Sequence, residues 1–371
     1  MRDGAGRMGA GGRSWGSIVL WLSVAGLSWA VGPVRLAAQS ESNPVRIGGL
    51  LRTGFRAEPG DSERNDGFDL FDTRFNLTGK VGIVFDYFVE GEYEDDSEEF
   101  RLLDARLTLP IFPEANISFG QFKTPFGREE LQYKGDITFL ERSLATRAIA
   151  PARQVGVELF GEALESRLSY RGGVFNGNGR TLDNDNDSFL YAGHVQYNTV
   201  GPIEFYDDLV VEVGASAAFS TDSSVVLGAG LDGRLPGAPP LMGIDFNDFR
   251  GDRFMLGFNA RVSYRGFAVD GEYLRGRYDL NESVAGRDNL VAEGGYLQGS
   301  YSLFGAIENV VRWDTFSPAV GPNRNFLLIG FNVYPGFHAK LGLQYAIGLN
   351  DSPPGQDLVD DQFALVTQLS F

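Results

Sequence analysis

From Val45 to the last residue the chain alternates. Val81, Ile83, Phe85, Tyr87, Val89 and Tyr93 are interleaved with Gly82, Val84, Asp86, Phe88, Glu90, Glu92 and Glu94, so one face is apolar and the other largely small or acidic. The same period of two sets Phe254, Leu256, Phe258, Ala260, Val262 and Tyr264 against Asn259, Arg261, Ser263 and Arg265. It also sets Phe337, Ala339, Leu341, Leu343, Tyr345 and Ile347 against His338, Lys340, Gly342 and Gln344. The pattern predicts strands over 45–57, 67–79, 81–94, 99–110, 115–123, 152–162, 166–176, 188–199, 208–220, 252–264, 267–279, 290–303, 306–316, 325–334, 337–348 and 362–371. Many reach the roughly 9–11 residues that a tilted strand needs to cross hydrocarbon, above the soluble mode of about 5–6.

The connections sort into two kinds. Short ones fall at Gly79-Lys80, Phe112-Pro113-Glu114, Ala163-Leu164-Glu165, Arg265-Gly266, Phe304-Gly305 and Pro335-Gly336. Longer ones, often acidic, span 58–66, 95–98, 124–151, 177–187, 221–251, 280–289, 317–324 and 349–361. Short turns at one end, long loops at the other and an even strand count predict an all-β fold: a transmembrane antiparallel β-barrel of about sixteen strands. Closure has a physical cause, because hydrocarbon offers no partner to a free backbone N–H or C=O and a sheet in lipid must therefore have no edge. Phe363, Leu365, Thr367, Leu369 and Phe371 share one face of the last strand. A terminal aromatic on such a strand resembles the signal read by bacterial barrel-assembly machinery.

The amino terminus reads differently. Arg2, Arg7 and Arg13 precede an apolar run, 17–31, too short to span a bilayer comfortably, and Ala38-Gln39-Ser40 supplies a small-x-small site. Residues 1–40 are expected to be a secretory signal peptide and 41–371 the barrel. Export and the barrel together predict the outer membrane of a Gram-negative cell.

Composition narrows the function. The chain has 371 residues, no cysteine and two histidines, His194 and His338, which removes thiol catalysis, Cys-ligated metals and multi-His centres. A formal charge of -17 argues against a nucleic-acid partner, since phosphate binding is driven by Lys and Arg. No G-x-S-x-G occurs, and neither histidine lies in a nucleophile motif, so no enzyme, catalytic residue or cofactor is expected. Asp183-Asn184-Asp185-Asn186-Asp187 begins like a calcium loop, but Ser188 and His194 stand where Gly and Glu belong, and no metal site is assigned.

The segments Gly120-Gln121-Phe122-Lys123-Thr124-Pro125-Phe126-Gly127, Phe139-Leu140-Glu141-Arg142 and Pro151-Ala152-Arg153-Gln154-Val155-Gly156-Val157 resemble the phosphate-selective porin O and P family. Tyr170-Arg171-Gly172-Gly173-Val174-Phe175-Asn176-Gly177 is similar to the same family. The resemblance implies a sixteen-stranded barrel, a homotrimer, and a third long loop, here 124–151, folded inward to narrow the pore. It implies passive diffusion of small hydrophilic solutes, with anions such as phosphate among them. A non-conducting outer-membrane barrel with an adhesion or structural role is the alternative. Other partners expected are outer-membrane lipid, lipopolysaccharide and the barrel-assembly machinery.

If the apolar face meets lipid, the polar face lines water. Its bases then include Arg52, Arg74, Arg106, Arg171, Arg261 and Lys340, with Arg46, Arg56, Arg167, Arg265 and Arg312 as further inward candidates. Around the third loop Lys123, Arg128, Lys134, Arg142, Arg147 and Arg153 outnumber Glu129, Glu130, Asp136 and Glu141, net positive by two in an acidic chain. Those six bases are the expected constriction and anion path, because charges at a narrow point act through thin, weakly screening water. The same bases can instead pair with the nearby acids and pin the loop to the wall.

Overall fold

The computed structural model describes residues 44–58, 66–82, 84–94, 99–112, 114–199, 208–228, 231, 246–284, 286–336, 338–349 and 361–371. The expected signal peptide lies outside the described residues. The strands in chain order are β1 Arg46–Ala57, β2 Gly67–Val81, β3 Phe85–Glu94, β4 Glu99–Phe112, β5 Ala115–Lys123, β6 Arg153–Ala163, β7 Leu168–Phe175 and β8 Leu190–Asn198. They continue with β9 Val210–Val225, β10 Phe249–Tyr264, β11 Phe267–Val284, β12 Arg287–Leu303, β13 Ile307–Ser317, β14 Arg324–Gly336, β15 Ala339–Gly348 and β16 Gln362–Ser370. Two short helices, α1 Arg128–Leu131 and α2 Leu144–Ile149, lie in the connection between β5 and β6.

Each strand pairs with its sequence neighbours, and β1 pairs antiparallel with β16, so the sixteen strands form a closed barrel. At the seam Gly49 and Phe371 exchange backbone hydrogen bonds, the Gly49 N–H donating over 2.9 Å and the Phe371 N–H over 3.2 Å. No strand edge is left for hydrocarbon to desolvate. The period of two becomes a division between outside and inside: Phe258 is 55% exposed on the outer face while its neighbour Asn259 is 6% exposed on the inner one. Phe75, Val89, Val213, Leu343 and Leu365 are likewise outward and exposed; Arg52, Glu90, Arg312 and Gln368 are inward and buried.

Several boundaries differ from the sequence reading. The turn between β2 and β3 is not Gly79-Lys80, because those residues pair with Tyr87 and Asp86, and Lys80 bridges Asp86 at 3.1 Å. The chain reverses later, past Gly82, whose φ of 63° suits a residue without Cβ. Arg265-Gly266 is a two-residue turn with both φ angles positive, 47° and 85°, which matches the twist of the flanking strands. At the other end the expected loops 221–251 and 280–289 are shorter, since β9 and β10 pair out to Val225 and Phe249, and Val284 pairs with Arg287. Above the hydrocarbon both faces can be polar, so alternation fades from the sequence before the hydrogen-bond ladder ends.

A larger correction concerns the inner face. Parity predicts a polar inner face, but towards the long-loop end the strands from β7 to β13 set a cluster of apolar side chains on it, beside the polar group of Ser220, Asp222 and Arg253. Phe175, Leu190, Met255, Leu274, Leu290 and Phe316 are buried there in one cluster with Ala145, Ala148 and Ile149 of α2. The sign in the sequence is a pair of adjacent apolar residues, such as Tyr273-Leu274, Leu290-Val291 or Met255-Leu256, where strict alternation would place a polar one. These residues face α2 rather than water, so burial rather than solvation selects them.

Candidate functional site

The connection between β5 and β6 is the site. At its root the Thr124 N–H and hydroxyl both donate to the Ala152 carbonyl, at 2.9 and 2.7 Å, which holds the two strand ends together. Gly127, at φ 75°, turns the chain into α1. The Gly127 N–H donates to Ser216 Oγ on β9 at 3.0 Å. The Arg128 and Glu129 N–H groups donate to the two carboxylate oxygens of Glu272 on β11, at 2.5 and 3.1 Å. Amides at a helix start have no partner within the helix, so a carboxylate on the wall satisfies them and attracts their positive end.

Beyond α1 the segment crosses irregularly, and its peptide groups need outside partners. The inner-face side chains supply them. Gln368 on β16 donates to the Gly135 carbonyl at 2.9 Å, Lys340 on β15 to that of Ile137 at 2.9 Å, and Asn332 on β14 to that of Thr138 at 3.2 Å. Arg52 on β1 donates to the Leu140 carbonyl at 2.9 Å, and the Leu140 N–H donates to Gln344 on β15 at 2.8 Å. These hydrogen bonds come from one arc of the wall, β14, β15, β16 and, across the seam, β1. Below the segment a polar cavity of about 170 Å³ is lined by Arg128, Asp136, Arg261, Asp270, Tyr296 and Glu308 among others.

The return to the wall runs through a buried cluster. Arg312 on β13 donates to Glu129 Oε1 at 2.8 Å and to Asp314 Oδ2 at 3.2 Å. Each carboxylate also accepts a backbone N–H at the start of α2, Glu129 from Ser143 at 2.8 Å and Asp314 from Leu144 at 3.3 Å. The Ser143 side chain caps α2 by accepting from the Thr146 N–H. Burial alone would raise the Glu129 carboxyl, but the Arg312 charge and the Ser143 N–H outweigh it and hold it below the usual carboxylate range. Burial pushes the Lys134 ammonium down despite its partner Glu141. The Tyr133 hydroxyl is pushed up to about 12, first by burial and then by the Glu90 charge.

The six bases expected at the constriction fare differently. Arg128 lies 3.5 Å from Glu212 and 3.6 Å from Asp270; Lys134 pairs with Glu141 at 2.9 Å; Arg142 meets Glu130 at 3.3 Å; Arg153 pairs with Asp104 at 3.0 Å. Lys123 donates instead to the carbonyls of Glu130 and Gln132, at 2.7 and 2.5 Å. Arg147 is exposed, and its side chain has no hydrogen bond or ion pair among the described residues.

Of the wall bases, Arg52 pairs with Asp72, Arg74 with Glu92, Arg171 with Glu158 and Arg261 with Asp270. Lys340 rests on the carbonyls of Ile137 and Thr138. Arg106 places its guanidinium 5.8 Å from the Phe88 ring centre and has no ion pair among the described residues. Arg265, an inward candidate, is an exposed turn residue beside Asp208.

The buried pair of Arg253 with Asp222, at 2.5 Å, is not legible in the sequence, because Asp222 falls within the expected loop 221–251. Nor are the roles of Gln344, Gln368 and Asn332, whose uncharged side chains carry no signal until a peptide group lies opposite. His194 shares a hydrogen bond with Ser216 Oγ at 2.8 Å, and that oxygen is the one holding Gly127. Among the described residues no cluster of three or more His, Asp or Glu could hold a metal ion.

A closed barrel, greasy outside and charged within, with a long connection bonded to its inner wall, defines an outer-membrane channel for small solutes. The chain belongs to the family of phosphate-selective porins O and P, whose model matches residues 48–346. It is similar in structure to an anion-selective porin from Comamonas acidovorans, at 13% identity over 89% of this chain and 100% of that one, with a TM-score of 0.62. It is also similar to the loop L8 deletion mutant of OmpT from Vibrio cholerae, at 14% identity over 89% and 99%, TM-score 0.62. A third likeness is to Salmonella typhi OmpF in complex with daunomycin, at 13% identity over 89% and 98%, TM-score 0.61. At these identities the likeness is one of fold. No curated protein matches the chain significantly.

Proposed function

We propose that the connection 124–152 is the size and charge filter of this channel, and that the filter weakly prefers anions. The observation carrying this is an imbalance of partners. Arg128, Lys134, Arg142 and Arg153 are each offset by a carboxylate, and the ammonium groups of Lys123 and Lys340 are taken up by backbone carbonyl oxygens. Arg106 and Arg147 have no ion pair among the described residues. Uncompensated cations beside a narrow water path favour anions, while paired ones contribute little net field. The cargo is a small hydrophilic solute, inorganic anions included, moving passively and without chemical change.

The test is the zero-current potential in a potassium chloride gradient across a planar bilayer. Wild type should favour chloride, and Arg147→Glu should shift the potential towards cation preference. Cation preference in wild type would sink the anion reading. One form of OmpT is recorded as a trimer. A homotrimer is proposed here too, to be read from the mass of the complex in mild detergent.

A further inference from the structure

We infer that Arg312 is a positioning residue that sets the width of the channel by holding the 124–152 connection, rather than a cation on the solute path. Its place on the polar face of β13 suggests a pore-lining base; its surroundings assign it otherwise. The side chain is 2% exposed, so no solute reaches it. One guanidinium nitrogen donates to Glu129 in the connection and another to Asp314 on its own strand. The guanidinium lies 4.3 Å from the Tyr296 ring centre and 5.9 Å from that of Phe139.

The two carboxylates do more than neutralise it. Through them Arg312 governs the N–H groups of Ser143 and Leu144, where α2 begins, and the body of α1, which carries Glu129. Both helices of the connection are therefore tied to one wall position by one buried cation. Without it, Glu129 and Asp314 would be two buried carboxylates with no cation between them, and Glu129, which lies on the connection rather than on a strand, can relieve the site by moving towards water. That movement takes α1 and the start of α2 away from β13.

The inference rests on the reading of the chain as a conducting channel, and the experiment separates the two. Wild type, Arg312→Gln, Arg312→Lys, Glu129→Gln and the double variant Arg312→Gln/Glu129→Gln are inserted singly into planar bilayers. Barrel assembly is checked by the heat-dependent shift in gel mobility. Arg312→Gln should give single-channel conductance changed by about twofold or more, with added current fluctuation, because a loosened constriction alters pore radius. The chloride-to-potassium permeability ratio should stay close to that of wild type. Arg312→Lys should recover part of the quiet conductance, and the double variant should lie closer to wild type than Arg312→Gln alone.

Wild-type conductance and noise in Arg312→Gln would overturn the inference. So would a changed permeability ratio at unchanged conductance, which would make Arg312 an ion-path residue. Should Arg312→Gln fail to assemble, Glu129→Gln decides: its change lies outside the strands, and the same conductance change is expected of it. A silent wild type would instead sink the channel reading.

Discussion

Phe139 seats its ring against Gly330 on β14, where an added Cβ would lie 2.9 Å from Phe139 Cε1 and 2.7 Å from Val310 Cγ1. The pocket exists because β14 carries no side chain at that point of its inner face, and Phe139 is 2% exposed in it. An aromatic ring in the connection thus fills a gap left in the wall, close to the Arg312 guanidinium. Gly330→Val should expel the ring at an overpacking cost of about 1–3 kcal/mol. Trypsin cleavage after Arg142 or Arg147 in the detergent-solubilised protein would report the freed segment. Equal cleavage rates in variant and wild type would show that this contact does not hold the connection.

The Glu129 carboxyl gives the connection a pH dependence of definite sign. Its folded value lies below the unfolded one, since the Arg312 charge and the Ser143 N–H together outweigh the burial that opposes them. Its contribution is therefore complete above the unfolded value of about 4.3 and is lost as pH falls through the lower, folded value. Wild type should show a conductance step below about pH 4.3 and approach there the behaviour of Glu129→Gln. Glu129→Gln should lack that transition. A conductance change centred near pH 6, or one that persists in the variant, would assign the effect to other groups.

The seam between the first and last strands makes a third prediction. A Cβ on Gly49 would lie 2.7 Å from Phe371 Cζ and 2.7 Å from the Arg74 carbonyl oxygen, so side chain and backbone both crowd the position. Gly49→Val should strain the closure by about 1–3 kcal/mol and lower the temperature at which the barrel loses its compact gel mobility. Gly305→Ala, in an open turn with nothing near its Cβ, is the control. It sits at φ 65°, so a strain effect alone would appear there and packing would not.

Most of the barrel could be read from the chain. Sixteen strands were expected and sixteen close the sheet, because the lipid face and the inner face impose opposite chemistries on alternate residues such as Phe258 and Asn259. The inner position of Arg52, Arg74, Arg171 and Lys340 follows from the same parity. Legibility failed where that contrast vanishes: at Asp222, above the hydrocarbon, and at Leu274 and Leu290, whose inner neighbour is a helix rather than water.

The site was less legible for a different reason. Composition and order place six bases around the 124–152 connection, but whether each stands free depends on partners far away in sequence. Arg128 meets Asp270 and Glu212; Glu129 meets Arg312, 183 residues on. Only Arg147 and Lys123 are without a carboxylate partner in that set, and no local pattern distinguishes them from Arg142 or Lys134.

Alternation along one strand thus determined by itself that this chain must close on itself and which side of every strand meets lipid, since hydrocarbon tolerates neither an open edge nor a charge. Which charges cancel, where the connection rests and what width it leaves were decided only in three dimensions. Coulomb energy and hydrogen bonding depend on the distance between groups, and the barrel brings together residues that the chain keeps far apart.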